Sequence, residues 1–233
     1  MSLELRPFGD LGHFEIGWLD ARHHFSFGEY HDPDRMGHGV LRVWNDDIIR
    51  PGTGFDPHPH RDMEIVTYVR RGAITHEDNQ GNSGRTVAGD VQVMSAGTGI
   101  VHSEFNREDE ETRIFQIWFL TNARGHAPHW ETRAFPKGDR AGDLVPLASG
   151  QDGVAGALPI HQDATLYGAT LPAGTAVTHR FADGRSGYLV PATGAVLVNG
   201  QRVAARDGLA IAGEDTIVIE ASEDSELLLA DLP

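Results

Sequence analysis

Gly52-Thr53-Gly54-Phe55-Asp56-Pro57-His58-Pro59-His60-Arg61-Asp62-Met63-Glu64 is the stretch on which the reading of this chain turns. Proline lacks an amide hydrogen and its ring clashes with a preceding helical turn, so prolines at 57 and 59 exclude a helix here. His58 and His60 must then lie on extended chain, where residues two apart point to the same side. Two imidazoles are thereby aimed at one point. Working outward, short apolar runs follow one another, each bounded by Gly, Pro, Asn or Asp. Val40-Leu41-Arg42-Val43-Trp44 precedes the stretch; Ile65-Val66-Thr67-Tyr68-Val69, Val91-Gln92-Val93-Met94 and Ile114-Phe115-Gln116-Ile117-Trp118-Phe119 follow it. The second half continues with Tyr188-Leu189-Val190, Ala195-Val196-Leu197-Val198, Thr216-Ile217-Val218-Ile219 and Glu226-Leu227-Leu228-Leu229. Asn199-Gly200 is the clearest hairpin signal, because both residues tolerate positive φ. No segment longer than about three turns shows helical periodicity. An all-β protein is expected.

The pattern repeats. Tyr68-Val69-Arg70-Arg71-Gly72-Ala73-Ile74 is echoed by Val190-Pro191-Ala192-Thr193-Gly194-Ala195-Val196. Ala88-Gly89-Asp90-Val91-Gln92-Val93-Met94 is echoed in turn by Ala205-Arg206-Asp207-Gly208-Leu209-Ala210-Ile211. Two copies of one barrel are therefore expected, a domain over 1–130 and another over 131–233, joined within the Gly-, Pro- and charge-rich stretch 122–143.

Composition narrows the chemistry. The 233 residues include no cysteine, so disulfides, thiolate nucleophiles and Cys-based metal sites are excluded. Any metal must sit on histidine, carboxylate or carbonyl. A net charge of −15 argues against direct binding to nucleic acid and against anionic membrane surfaces. Met1-Ser2-Leu3-Glu4-Leu5-Arg6-Pro7 offers no apolar stretch for a secretory signal, and no run approaches the ~18 residues of a membrane span. A cytoplasmic location is expected, with a small neutral molecule as the easier ligand.

Gly97-Thr98-Gly99-Ile100-Val101-His102-Ser103-Glu104 repeats the arrangement of the opening stretch. Glycines allow close approach, and His102 and Glu104 again share a face by their spacing of two. One His-x-His pair among 13 histidines is an ordinary occurrence. Two such pairs on neighbouring strands would give a site of three imidazoles and one carboxylate: His58, His60, His102 and Glu104. That ligand set suits Fe, Mn, Co, Ni, Cu or Zn better than Mg or Ca, and leaves coordination positions for water, dioxygen or substrate.

Gly52-x5-His58-x-His60-x3-Glu64 and the later Gly89 to Gly99-x2-His102-x3-Asn106 resemble the two cupin motifs. The wording His58-Pro59-His60-Arg61-Asp62-Met63-Glu64, with Met94 through Glu104, resembles the pirin family, and more narrowly its bacterial quercetin 2,3-dioxygenase-like branch. Arg22-His23-His24-Phe25-Ser26-Phe27-Gly28 and the closing Asp231-Leu232-Pro233 agree with it. The resemblance spans nearly the whole chain. It implies a bicupin with jelly-roll-like domains, one divalent metal in the first cupin and none in the second. It also implies that Glu104, rather than the first-motif Glu64, is the carboxylate ligand. Iron is taken as the first candidate metal, ahead of Mn, Co, Ni, Cu and Zn.

The activity the resemblance implies is O2-dependent opening of the central ring of a flavonol such as quercetin, with a planar aromatic substrate and Glu104 as catalytic base. The resemblance equally supports a redox-sensing regulator that docks on a protein partner. A ligand-complete buried site would favour the regulator, and an open position facing a cavity the enzyme. Elsewhere, His23 and His24 are expected to cap the amino-terminal strand rather than wall a pocket. His76 could stand behind a metal ligand but is read as a solvated strand end, His126 and His129 as surface residues, and Glu108-Asp109-Glu110-Glu111 as a solvated loop. Trp44, Trp118 and Phe119 are assigned to the core, with a flat aromatic pocket as the alternative for one of them, and His179 stands alone in the second half.

Overall fold

The structure, a computed structural model, describes residues 2–233 and every side chain among them except that of Asp139; Met1 lies outside the described residues. Strand follows strand, as the short apolar runs require. The first half holds β1 (Ser2–Arg6), β2 (Gly12–Ile16), β3 (Leu19–His23), β4 (Leu41–Ile49), β5 (Gly54–His60) and β6 (Met63–Arg71). It continues with β7 (Ala73–Asp78), β8 (Ser83–Val87), β9 (Val91–Ser95), β10 (Ile100–Phe105), β11 (Thr112–Leu120) and β12 (His129–Arg133). Then come β13 (Val145–Ser149), β14 (Leu158–Pro159), β15 (Thr165–Leu171), β16 (Ala176–Arg180) and β17 (Ser186–Thr193). The chain finishes with β18 (Ala195–Val198), β19 (Gln201–Ala204), β20 (Gly208–Ala212), β21 (Thr216–Ala221) and β22 (Ser225–Leu232). Among the described residues the helical content is two 3-10 turns, Phe8–Asp10 and Lys137–Arg140. Among the described residues no helix is long and apolar enough to cross a membrane.

The chain divides into two compact units. One comprises residues 12–135 with 158–162; the other comprises 1–11, 136–157 and 163–233. We call them the first and second barrels. In the first, a small sheet runs β5-β10-β7-β8 and a larger one β12-β9-β6-β11-β4-β3-β2. In the second, the small sheet runs β16-β21-β18-β19 and the larger one begins β1-β20-β17-β22-β15-β13. The two orders correspond strand for strand, so the echoed sequence segments are the same pieces of one architecture. Gly72 and Gly194 mark it: each turns between equivalent strands at φ +70 and +73, and a Cβ on either would strike a facing strand. The Asn199-Gly200 turn forms as expected, with φ of 46 and 86 between β18 and β19.

The correspondence assigns the first strand. Within the first barrel β12 covers the edge of β9, whereas in the second barrel the matching edge, on β20, is covered by β1, with Leu3 opposite Ile211. A linear division at 130 leaves these first residues with the amino-terminal domain; their backbone hydrogen bonds put them with the carboxy-terminal one.

The cores follow the period-two burial of the strands. The second barrel gathers Leu189, Val196, Val198, Leu209, Ile217, Ile219, Leu227 and Leu229 into one cluster. In the first barrel Leu19, Ala21, Ile49, Val69, Ile74 and Ile114 form one cluster, and Ile65, Met94, Ala96 and Ile100 another.

Candidate metal centre

β5 and β10 are antiparallel neighbours, with His58 directly opposite His102 and His60 opposite Ile100. Their approach is close because Gly54 has no side chain: a Cβ there would lie 2.2 Å from the Glu104 carbonyl oxygen. Three imidazoles from the two strands converge. Ring centroids are 4.8 Å apart for His58 and His60, 4.5 Å for His58 and His102, and 5.0 Å for His60 and His102. One ring nitrogen from each lies within 4.8 Å of the others.

The hydrogen bonds say which nitrogens are available. His58 Nδ1 is 2.8 Å from the Asp56 carbonyl oxygen, so Nδ1 carries the hydrogen and Nε2 keeps a free lone pair. His102 Nε2 is buried and meets no hydrogen-bond partner among the described residues. A buried polar atom without a partner costs about 1–3 kcal/mol, and a bound cation removes that penalty. Burial, with His58 beside it, pushes His60 down to about 4, and burial with its histidine neighbours puts His102 further below the imidazole range. Both rings are neutral at physiological pH, the form that ligates a metal.

Glu104 lies one step along the same face of β10, opposite His76 of β7, and is 1% exposed. Its potential ligand atom falls in an adjoining group with His102 and His76, not within the His58–His60–His102 group. The carboxylate is held from both sides. Gln92 Nε2 donates to Oε1 at 2.6 Å, Thr67 Oγ1 donates to the same oxygen at 3.5 Å, and Gln116 Nε2 donates to Oε2 at 2.8 Å. Burial raises its pKa to about 7 despite these donors. An adjacent cation would favour the ionised form. Three converging imidazoles, a lone pair without a partner and a carboxyl lacking a countercharge together fit a divalent metal. Glu64 lies outside both groups; it is fully buried and accepts a hydrogen bond from Ser95 Oγ at 2.5 Å.

His58 and His60 also line a cavity of about 520 Å³, within the ~300–1,000 Å³ range of small-molecule sites. Its wall is chiefly apolar, from Phe14, Trp18, Leu19, Phe27, Phe55 and Trp118, with His23, Asn45, Asp47 and Gln116 as polar members. Three expectations need correcting. Trp118 borders this cavity, its ring centroid 4.9 Å from that of His60 and the two planes nearly perpendicular. His23 is fixed by Asn45 Oδ1 at 2.9 Å, yet it walls the pocket as well, because the period of β3 turns it inward. His76 is not a solvated strand end: it is 0% exposed, covered by the indole of Trp130. Asp47, Gln92 and Gln116 carry no motif and could not be picked out beforehand. In the second barrel, His179 is taken up by Asp231, its Nε2 2.7 Å from Oδ2.

Known proteins agree with this architecture. The Pirin family model matches residues 5–119, and a model for the quercetinase C-terminal cupin domain matches residues 147–232. A pirin-like protein of Caulobacter vibrioides is 60% identical over 98% of this chain and 99% of its own length. A quercetin 2,3-dioxygenase of Escherichia coli (strain K12) is 44% identical over 98% of this chain and 98% of its own. The bacterial pirin YhhW from Escherichia coli, solved in complex with nickel(II), superposes with a TM-score of 0.94 at 42% identity, covering 100% of this chain and 99% of that one. The chain is a bicupin and belongs to the pirin family.

Proposed function

We propose that His58, His60, His102 and Glu104 hold one divalent transition metal, and that the chain is a dioxygenase opening the central ring of a flavonol such as quercetin with O2. One observation carries this reading: two of the three converging histidines are also wall residues of a 520 Å³ cavity. A metal held by these residues would face that chiefly apolar pocket on one side. When bound, the metal supplies Lewis acidity that lowers the pKa of a ligating hydroxyl.

The chain's own residues do the rest. Phe14, Trp18, Phe27, Phe55 and Trp118 offer flat apolar surface to a planar aromatic molecule and exclude water from it. Glu104, the carboxylate beside the proposed metal, would take the proton of the substrate's 3-hydroxyl. Gln92 and Gln116 each fix one of its carboxylate oxygens. Relatives named quercetin 2,3-dioxygenase support the substrate class. The wild-type chain, loaded in turn with Fe, Mn, Co, Ni and Cu, is incubated with quercetin in air and under nitrogen. Oxygen-dependent loss of the long-wavelength absorbance is expected with at least one metal. No bleaching with any of the five would end the dioxygenase reading.

A further inference from the structure

His76 has both ring nitrogens engaged. Nε2 lies 2.9 Å from Asp78 Oδ2, and Nδ1 lies 3.3 Å from His102 Nδ1. Asp78 is fixed in its turn: its Oδ1 accepts from the backbone N–H groups of Gln80 and Asn82 at 2.9 and 3.0 Å, and Asn82 Nδ2 reaches both oxygens. A carboxylate surrounded by N–H donors is an acceptor, so the hydrogen between it and His76 belongs to His76 Nε2. A neutral imidazole then accepts at Nδ1. The hydrogen between the two facing Nδ1 atoms must therefore sit on His102. That leaves His102 with a bare Nε2, the same atom that is buried without a protein partner. The ring of His76 is locked in this pose. The Trp130 indole stacks on it at 4.7 Å with 8° between planes, and does so over Gly84, where a Cβ would lie 2.3 Å from the indole.

We propose that Asp78 and His76 form a relay that fixes the tautomer of His102, directing its Nε2 lone pair at the metal and raising its basicity. His76 is then a positioning residue and not a ligand, although its ring lies near enough to His102 and Glu104 to be mistaken for one. The inference rests on the reading of His102 as a metal ligand. Its logic is that of outer hydrogen bonds to ligating histidines, whose loss typically lowers metal affinity about 10–100-fold.

The test begins with the wild-type chain treated with chelator. Long-range proton–nitrogen NMR reads the His102 tautomer directly: hydrogen on Nδ1 is expected, and hydrogen on Nε2 overturns the relay. Nickel affinity is then measured by chelator competition for His76→Phe, His76→Gln and Asp78→Asn, with thermal melts as a folding control. His76→Phe keeps the stack but removes the acceptor, and should weaken nickel about 10–100-fold while still binding one equivalent. His76→Gln, whose amide oxygen can accept from His102, should recover part of that loss. Asp78→Asn should show a smaller weakening. Wild-type affinity in both His76→Phe and Asp78→Asn overturns the proposal, as does complete loss of nickel in a folded His76→Phe, which would make His76 a ligand. Failure of the underlying reading looks different: His102→Ala would then bind nickel as the wild type does.

Discussion

The two barrels share a strand order and differ in what their small sheets turn inward. In the first, β10 directs Ile100, His102 and Glu104 to the interior, opposite a β5 that carries His58 and His60. In the second, the matching β21 directs Ile217, Ile219 and Ala221 inward, opposite a β16 whose His179 is already bound to Asp231. Aliphatic residues close one interior into a continuous core. The other keeps polar groups and a cavity where that core would be. One architecture therefore encloses either polar groups beside a cavity or a packed aliphatic core.

The sharpest way to break this comparison is to exchange a decisive residue in each barrel. His58→Ala and His102→Ala should each lose essentially all bound metal and all oxygen-dependent quercetin bleaching, whereas His179→Ala should leave metal content at one per chain. Metal analysis of the three proteins checks it, and one retained equivalent in either of the first two would sink the site. Packing should show the reverse dependence. Ile219→Ala removes a fully buried side chain from the second core and should cost about 2–5 kcal/mol in denaturant unfolding, with metal still bound. Unchanged stability there would mean that the second barrel is not the packed body described.

A pH series sharpens the contrast further. Glu104 is pushed by burial from the ordinary 4.5 up to about 7 in the folded state, so the folded chain holds this proton more tightly than the unfolded chain. The stabilisation is fully present below about 4.5 and is lost as pH rises through 7. In chelator-treated protein the loss should be on the order of 3 kcal/mol. Glu104→Gln should flatten this slope, and so should bound metal; equal slopes for wild type and Glu104→Gln would refute the assignment. The smallest effect belongs to the rim, where Arg85 pairs with Glu108 at 2.8 Å with much of its side chain in solvent. Arg85→Ala should change stability by less than about 1 kcal/mol, measured by thermal melts.

Where the determinants are local, they are legible in the sequence. His58 with His60, and His102 with Glu104, are each set by a spacing of two on extended chain, and the glycine turns at 72, 194 and 200 all need positive φ. Where they depend on a distant strand, they are not. Nothing in His76-Glu77-Asp78 announces that Trp130 will cover it, and nothing near Glu104 names Gln92 or Gln116 as its partners. The acidic run at 108–111 shows both sides of this. It is largely exposed as its charges demand, yet Glu108 and Glu110 find Arg85 and Arg71 on strands that the run itself cannot specify.

The strand that covers β20 carries a consequence for how the protein is made. β1 is synthesised long before its partner β20, so residues 2–6 must wait unpaired until residues 208–212 follow. Until they dock, β20 presents a bare row of amide and carbonyl groups, the kind of edge that recruits strands from other chains. A bulky fusion placed ahead of Ser2 is therefore expected to trouble solubility through the carboxy-terminal barrel, far along the sequence from the tag itself.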